Sequence, residues 1–185
     1  SVLAANYPFA TIEPNVGVVN LPDDRLARLA EIFGSERIIP APVSFVDIAG
    51  IVRGASEGEG LGNQFLSNIR EAEAIAQVVR VFDDPDVIHV DGAINPAADM
   101  ETINTELILA DLQTLEKAIG RYEKEVKGKK LEPIVLSVAA EARTILDGGK
   151  TLFQANFDSS AISELGLLTA KPFLYVFNVD EQTLG

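Results

Sequence analysis

The chain contains no cysteine, a single histidine and far fewer basic than acidic residues. The absence of cysteine excludes disulfides, thiol catalysis and zinc–thiolate sites. The net charge of −13 argues against a general polyanion-binding surface, because affinity for nucleic acids depends on cations placed against phosphates. No uninterrupted apolar run is long enough to cross a membrane and no basic-then-apolar leader opens the sequence, so a cytoplasmic location is expected.

The composition is that of a globular protein. A chain of 185 residues, 47% hydrophobic and 23% charged, suits one domain with an inserted arm. Apolar, β-branched runs at residues 16–20, 43–47, 75–82 and 172–177 predict strands, and segments with helical spacing separate them. This alternation predicts an α/β fold, with a mostly parallel sheet of buried strands and helices on both faces.

Two regions have a helical pattern with clear limits. Asp23 and Asp24 begin the first, which ends at Gly34. The second, residues 100–146, breaks at the Gly-containing segment 127–130 and predicts two helices in an antiparallel hairpin. The first arm, about 27 residues, would rise ~40 Å and the second, about 14 residues, only ~21 Å. Either residues are missing near Lys130 or a loop covers the difference. The apolar stripe of the longer arm comprises Ile103, Leu107, Ala110, Thr114, Ala118 and Tyr122.

A D-x-x-G motif, from Asp47 to Gly50, follows the strand predicted at residues 43–46. A carboxylate at such a strand end lies beside a magnesium ion in nucleotide-binding proteins, and the glycine N–H can approach a γ-phosphate closely. The motif alone also occurs at ordinary turns. Here five glycines between Gly50 and Gly62 lead into a helical pattern, which is typical of a switch segment that is easily ordered and released.

Another predicted strand ends in the sequence Asn178-Val179-Asp180-Glu181. GTPases recognise guanine with Asn-x-x-Asp, but here glutamate occupies the fourth position. The additional methylene displaces the carboxylate by about an ångström, so the bidentate contact with guanine should be lost or distorted. Two alternatives stay open: the segment is an ordinary strand-end turn, or Asp180 reaches the base instead.

Segments 6–15, 47–70 and 173–181 together resemble the two switches and the base-recognition segment of the Obg-related P-loop GTPases. The resemblance is strongest to the YchF branch, which prefers ATP to GTP. It implies the cofactors Mg²⁺ and ATP, with GTP as the alternative. It also implies that the Thr11 hydroxyl binds magnesium together with Asp47. The nucleotide-binding positions that it implies are Gly50, Asn178, Val179 and Glu181. Without the downstream match, Thr11 would be interpreted as a local capping residue.

Ile51 follows the motif glycine, at the position where Ras-like proteins have a glutamine that orients the attacking water. Isoleucine has no donor or acceptor, so Gly50 and Ile51 are interpreted as switch residues and no catalytic side chain is assigned. Slow intrinsic hydrolysis is expected.

The phosphate-binding pattern G-x-x-x-x-G-K-[ST] is not in the sequence. In the family that the chain resembles, this loop precedes the first switch and a β-rich module follows the base-recognition segment. The expected organisation is therefore a P-loop NTPase domain at residues 1–99 and 151–185, incomplete at both ends, with a helical hairpin inserted at residues 100–150.

Basic residues follow one face of the predicted first arm and continue to its tip, and they are Lys117, Arg121, Lys124, Lys127, Lys129 and Lys130. They are interpreted either as a solvated face paired with Glu116, Glu123 and Glu125, or as a contact with the ribosome and RNA. The lone His89 and the carboxylates of Asp83, Asp84, Asp86 and Asp91 are assigned to structure or solvated turns.

The leading hypothesis is a slow, magnesium-dependent ATPase switch that associates with the large ribosomal subunit. A GTPase of the Obg group that binds nucleic acid is the alternative if Asp180 reads the base. A ribosome-binding module that holds nucleotide as a structural ligand is the third hypothesis, and Ile51 favours it.

Overall fold

The computed structural model describes residues 15–48, 61–82 and 94–181. The described residues divide into two compact units, a smaller one within residues 9–49 and a larger one within residues 50–185. The strands are β1 (Asn15–Asn20), β2 (Pro42–Asp47), β3 (Ile75–Arg80) and β4 (Phe173–Asn178). The α-helices are α1 (Asp24–Phe33), α2 (Leu61–Glu71), α3 (Pro96–Lys127) and α4 (Pro133–Asp147).

In the smaller unit, β1 pairs antiparallel with β2 and α1 lies between them in the chain. The predicted limits of α1 are confirmed. The Asp23 carboxylate accepts a hydrogen bond from the Arg25 N–H at 3.0 Å, which satisfies one of the free amides at the helix start. Gly34 ends the helix with φ of 64°, a left-handed conformation that glycine adopts without a steric penalty.

The prediction that residues 43–47 form a strand is confirmed, but the prediction that this strand is buried is wrong for the described residues. Every residue of β2 is exposed, and no side chain in residues 15–48 is buried. Among the described residues, β2 pairs with β1 alone and no element covers its faces, so its apolar side chains stay exposed. Because this pair is antiparallel, the predicted predominance of parallel pairing is not confirmed.

In the larger unit, β3 and β4 pair in parallel, with Ile75 opposite Phe173 and Arg80 opposite Asn178. One face of this pair lies under α3. The Asn104 amide donates to the Tyr175 hydroxyl at 3.1 Å, and the Gln77 amide donates to a carbonyl of α3 at 3.4 Å. Side chains of the opposite face, such as Val78 and Leu174, are exposed, so among the described residues helices cover one face of this pair.

The predicted helical hairpin is present. Asn95 caps α3 by accepting from the Ala98 N–H, residues 128–132 link the helices, and Pro133 begins α4 at a position where proline costs no hydrogen bond. The facing sides form an apolar core, in which each fully buried leucine contributes about 1.5–3 kcal/mol. Core members from the two helices include Leu115, Ile119, Tyr122, Ala139, Ala142 and Leu146.

The unequal arms have a structural explanation. The 32-residue α3 is about twice as long as the 15-residue α4, and its first part lies against β3 and β4. Residues 151–170 then continue the packing, since Leu152, Ile162 and Leu167 join the hairpin core. The difference in length is therefore occupied by described residues, and no additional ones near Lys130 are needed to account for it.

Candidate functional site

Asp47 is the last residue of β2 and lies opposite Asn15 in the antiparallel pair. Its carboxylate is exposed, so its oxygens are accessible to a ligand. The other residues predicted for the phosphate and metal region, Thr11, Gly50 and Ile51, lie outside the described residues. The same holds for His89 and the four carboxylates at residues 83–91.

The predicted base-recognition segment begins where β4 ends. Asn178 is the last residue of the strand, and its carbonyl accepts a hydrogen bond from the Val81 N–H at 2.9 Å, which extends the parallel pairing beyond Arg80. Asn178 and Glu181 are exposed, whereas Val179 and Asp180 are half-buried. Ligands of open α/β sheets bind outside the carboxyl ends of the strands, and this segment has that position.

The neighbouring strand end carries a guanidinium. Arg80, opposite Asn178, donates from Nε to the Phe82 carbonyl at 3.0 Å and lies 4.8 Å from the centre of the Phe82 ring. These contacts hold the guanidinium against Phe82. A cation at a strand end is suited to contact anionic ligands, although no motif in the sequence predicted this residue.

The basic residues of the hairpin are all exposed. Arg121 is the member with partners, because it pairs with Glu164 at 3.1 Å and with Glu125 at 3.9 Å. Within the described part of the chain, the five lysines form no ion pair with Glu116, Glu123 or Glu125. The interpretation of this face as solvated is confirmed for the described residues, whereas the predicted pairing with these glutamates is present only between Arg121 and Glu125. Five ammonium groups therefore face solvent at the tip and along α3.

Arg121 and Tyr122 attach the segment Ser160–Leu165 to α3. The Glu164 carboxylate accepts from the Tyr122 hydroxyl at 2.8 Å and from the Arg121 guanidinium. The Arg121 guanidinium also lies 5.0 Å from the centre of the Tyr122 ring. Burial raises the pKa of the Tyr122 hydroxyl, and the hydrogen bond to Glu164 acts in the same direction.

A buried carboxylate that the sequence analysis did not identify lies on the apolar face of α3. Asp111 is 1% exposed, and it accepts hydrogen bonds from the Leu168 N–H at 2.9 Å, the Thr169 N–H at 2.7 Å and the Thr169 hydroxyl at 2.6 Å. Burial raises the pKa of Asp111, whereas these hydrogen bonds and the charge of Arg70 lower it. Its position four residues after Leu107 and four before Leu115 is the pattern that could have revealed it.

Two other kinds of feature are absent from the described part of the chain. No group of three or more histidine, aspartate or glutamate residues is arranged to hold a metal ion there. No described helix combines the length and the apolar character that a membrane span requires.

The described strands and helices have an α/β architecture, and the family comparison assigns the chain to the class of P-loop nucleotide-binding domains. The family described as "50S ribosome-binding GTPase" matches residues 1–139, and the chain belongs to this family.

Individual relatives carry a more particular description. The chain is 52% identical over 182 residues to "Ribosome-binding ATPase YchF" of Pasteurella multocida (strain Pm70), a match that covers 96% of this chain and 50% of the relative. It has the same identity and coverage with the protein of that name from Escherichia coli O157:H7. The Bacillus subtilis (strain 168) relative is 48% identical over 98% of this chain and 51% of its own length. The predicted resemblance to the YchF group is confirmed, and the chain spans about half the length of these relatives.

Proposed function

We propose that this chain is the nucleotide-binding part of a slow, magnesium-dependent ATPase switch that associates with the ribosome in the cytoplasm. The observation that carries the proposal is the position of the Asn178–Glu181 segment at the carboxyl end of β4, with Asn178 and Glu181 exposed. The names of the relatives, which include both ribosome binding and ATPase activity, support it.

Adenine is preferred over guanine because the fourth residue of the segment is glutamate. Guanine recognition requires a carboxylate that accepts from two N–H groups at once, and a carboxylate displaced by one methylene does not keep this geometry. The Asn178 side chain is exposed and remains available to a base. Adenine does not present this pair of N–H donors, so the displacement of the carboxylate does not weaken its binding.

GTP is the second candidate nucleotide, and a specific observation favours it. The family that includes this chain is described as one of GTPases, and Asp180 immediately precedes Glu181. Because Asp180 is half-buried and Glu181 is exposed, recognition by Asp180 requires the segment to turn its buried side toward the base. This requirement is why ATP is proposed first.

Asp47 fits the role of a magnesium-binding residue. Magnesium prefers oxygen ligands and keeps several of its waters, so one exposed carboxylate at a strand end is a suitable contribution from the protein. Thr11 is proposed to add its hydroxyl when a triphosphate is bound. The ion would supply positive charge to the phosphates. Ile51 has no polar atom with which to orient water, and slow turnover follows from this.

The ribosome is proposed as the partner, with the lysines of the hairpin as the contact. Lys117, Lys124 and Lys127 lie along α3, and Lys129 and Lys130 lie in the linking segment, all exposed and without ion pairs within the described chain. Unpaired ammonium groups on an acidic protein favour a local contact with RNA phosphates, because each contact releases counterions. The family description favours the large ribosomal subunit.

Calorimetric titration of ATP and GTP tests the nucleotide assignment. It requires a full-length protein that contains this chain. We expect ATP to bind at least as tightly as GTP, and Glu181→Asp to shift the preference toward GTP by ~1–3 kcal/mol. Asp180→Asn is the matched control and should leave the preference unchanged. A parent protein that binds GTP about tenfold more tightly than ATP, a difference of about 1.4 kcal/mol, would refute the adenine assignment.

A further inference from the structure

Three elements of the larger unit meet at residues 168–171, the short segment that precedes β4. Helix α3 contacts the segment through Asp111, and helix α2 contacts it through Lys171. The segment continues into β4, where the Pro172 carbonyl accepts from the Ile75 N–H at 2.9 Å. Residues 168–171 are thus bound to α2, α3 and the parallel strand pair at once.

Lys171 caps the end of α2. Its Nζ donates to the Arg70 carbonyl at 3.0 Å and to the Ala72 carbonyl. Carbonyls at the end of a helix lack intrahelical partners, and an ammonium group there also interacts favourably with the helix dipole. This cap comes from a residue about 100 positions away in the chain, so it ties the end of α2 to a distant segment.

Asp111 holds the same segment from the other side. Its three hydrogen bonds engage two consecutive backbone amides and one hydroxyl, all buried. Two backbone amides bound to one carboxylate leave the segment little freedom to move relative to α3, because separation would leave buried polar groups without partners. A displacement of the end of α2 therefore acts on α3 through a connection that resists stretching.

We infer that Lys171 and Asp111 are positioning residues that transmit movement of α2 to the helical hairpin. This inference rests on the proposed function, since α2 forms the end of the segment 47–70, which is predicted to be the second nucleotide switch. The binding of triphosphate or diphosphate is then coupled to the conformation of the hairpin, whose tip carries the exposed lysines. The connection consists of Arg70 on α2 and Ala72 directly after it, Lys171 and Thr169 in the segment, and Asp111 on α3.

Amide hydrogen exchange in the full-length protein tests this coupling, because it reports local opening segment by segment. Exchange at residues 124–132 is compared between the complexes with ADP and with a non-hydrolysable ATP analogue. In the parent protein the exchange rates should differ by at least about threefold between the two complexes. Lys171→Met should abolish most of this difference while ADP affinity, measured by calorimetry, stays within about twofold.

Two further variants separate coupling from simple stabilisation. Lys171→Arg keeps a cationic donor and should restore the difference, whereas Lys150→Met, at an exposed lysine after α4, should leave it unchanged. If Lys171→Met does not fold, Thr169→Val replaces it, because this variant removes the hydroxyl donor to Asp111 and keeps both amides. It should reduce the difference partially.

The outcomes distinguish the inference from the proposed function. Normal ATP binding with equal exchange at the tip in both complexes refutes the coupling and leaves the proposed ATPase intact. Persistence of the full difference in both Lys171→Met and Thr169→Val also refutes it. A parent protein that binds no nucleotide refutes the proposed function, and the coupling with it.

Discussion

Replacement of Asp111 by alanine should cause one of the largest losses of stability available to a single substitution on α3. The change leaves two amide N–H groups and one hydroxyl without their acceptor in a region that water does not reach. Each orphaned buried group costs about 1–3 kcal/mol, and the Thr169 hydroxyl can rotate toward another acceptor. The two amides therefore dominate, and the expected loss is about 3–5 kcal/mol. The better helix propensity of alanine offsets less than about 1 kcal/mol of it.

Urea denaturation, followed by circular dichroism, measures this loss as a change in the free energy of unfolding. Thr169→Val removes one donor and should cost about 1–2 kcal/mol. The loss in the double variant should be smaller than the sum of the two single losses, because the residues share a hydrogen bond. Glu116→Ala, at an exposed position on the same helix, is the matched control and should change stability by less than about 0.5 kcal/mol. A loss below about 1 kcal/mol for Asp111→Ala would refute the reasoning.

Three further predictions concern the proposed activity in the full-length protein. Thr11→Ala should weaken binding of a non-hydrolysable triphosphate and leave ADP affinity nearly unchanged, because the hydroxyl is proposed to reach magnesium only with the γ-phosphate present. An equal fall in both affinities, measured by calorimetry, would show that Thr11 has a structural role only. In single-turnover hydrolysis, Ile51→Ala should change the rate by less than about tenfold, since no polar contact is lost. Asp47→Asn should lower the rate far more, because it weakens the charge that holds the metal. A larger effect of Ile51→Ala than of Asp47→Asn would contradict the mechanism. The double variant Lys124→Gln with Lys127→Gln should weaken RNA or ribosome binding. It should also reduce the slope of log affinity against log salt concentration by about one unit per lost phosphate contact, whereas Lys150→Gln should leave the slope unchanged. An unchanged slope in the double variant would exclude these lysines from the contact.

Local patterns in the sequence were enough to predict the helices and strands. The limits of α1 follow from Asp23 and Gly34, which act within one helical turn, and the hairpin follows from apolar spacing and the break near Gly128. The strand-end segments at Asp47 and Asn178 could be placed for the same reason, since each motif directly follows an apolar run.

What the sequence did not reveal depends on distant partners. Antiparallel pairing of β1 with β2 and the exposure of β2 depend on which strands lie next to each other, and apolar content alone does not encode this. The donors to Asp111 lie 57 and 58 residues away in the sequence, and the Arg70 carbonyl that accepts from Lys171 lies 101 residues before it. No local pattern identifies such pairs, although a carboxylate in the middle of an apolar stripe indicates that a partner must exist.

The uninterrupted length of α3 gives the hairpin a mechanical property. Asp111 lies sixteen residues before the end of the helix at Lys127, which corresponds to ~24 Å along the axis. Helix α4 and residues 151–170 pack along this stretch and stiffen it. If the helix tilts as a rigid rod about Asp111, a rotation of about 10° displaces the tip by ~4 Å, comparable to the spacing of neighbouring phosphates along a duplex axis. A small change in the orientation of α3 at Asp111 can therefore move the lysines from one phosphate toward the next.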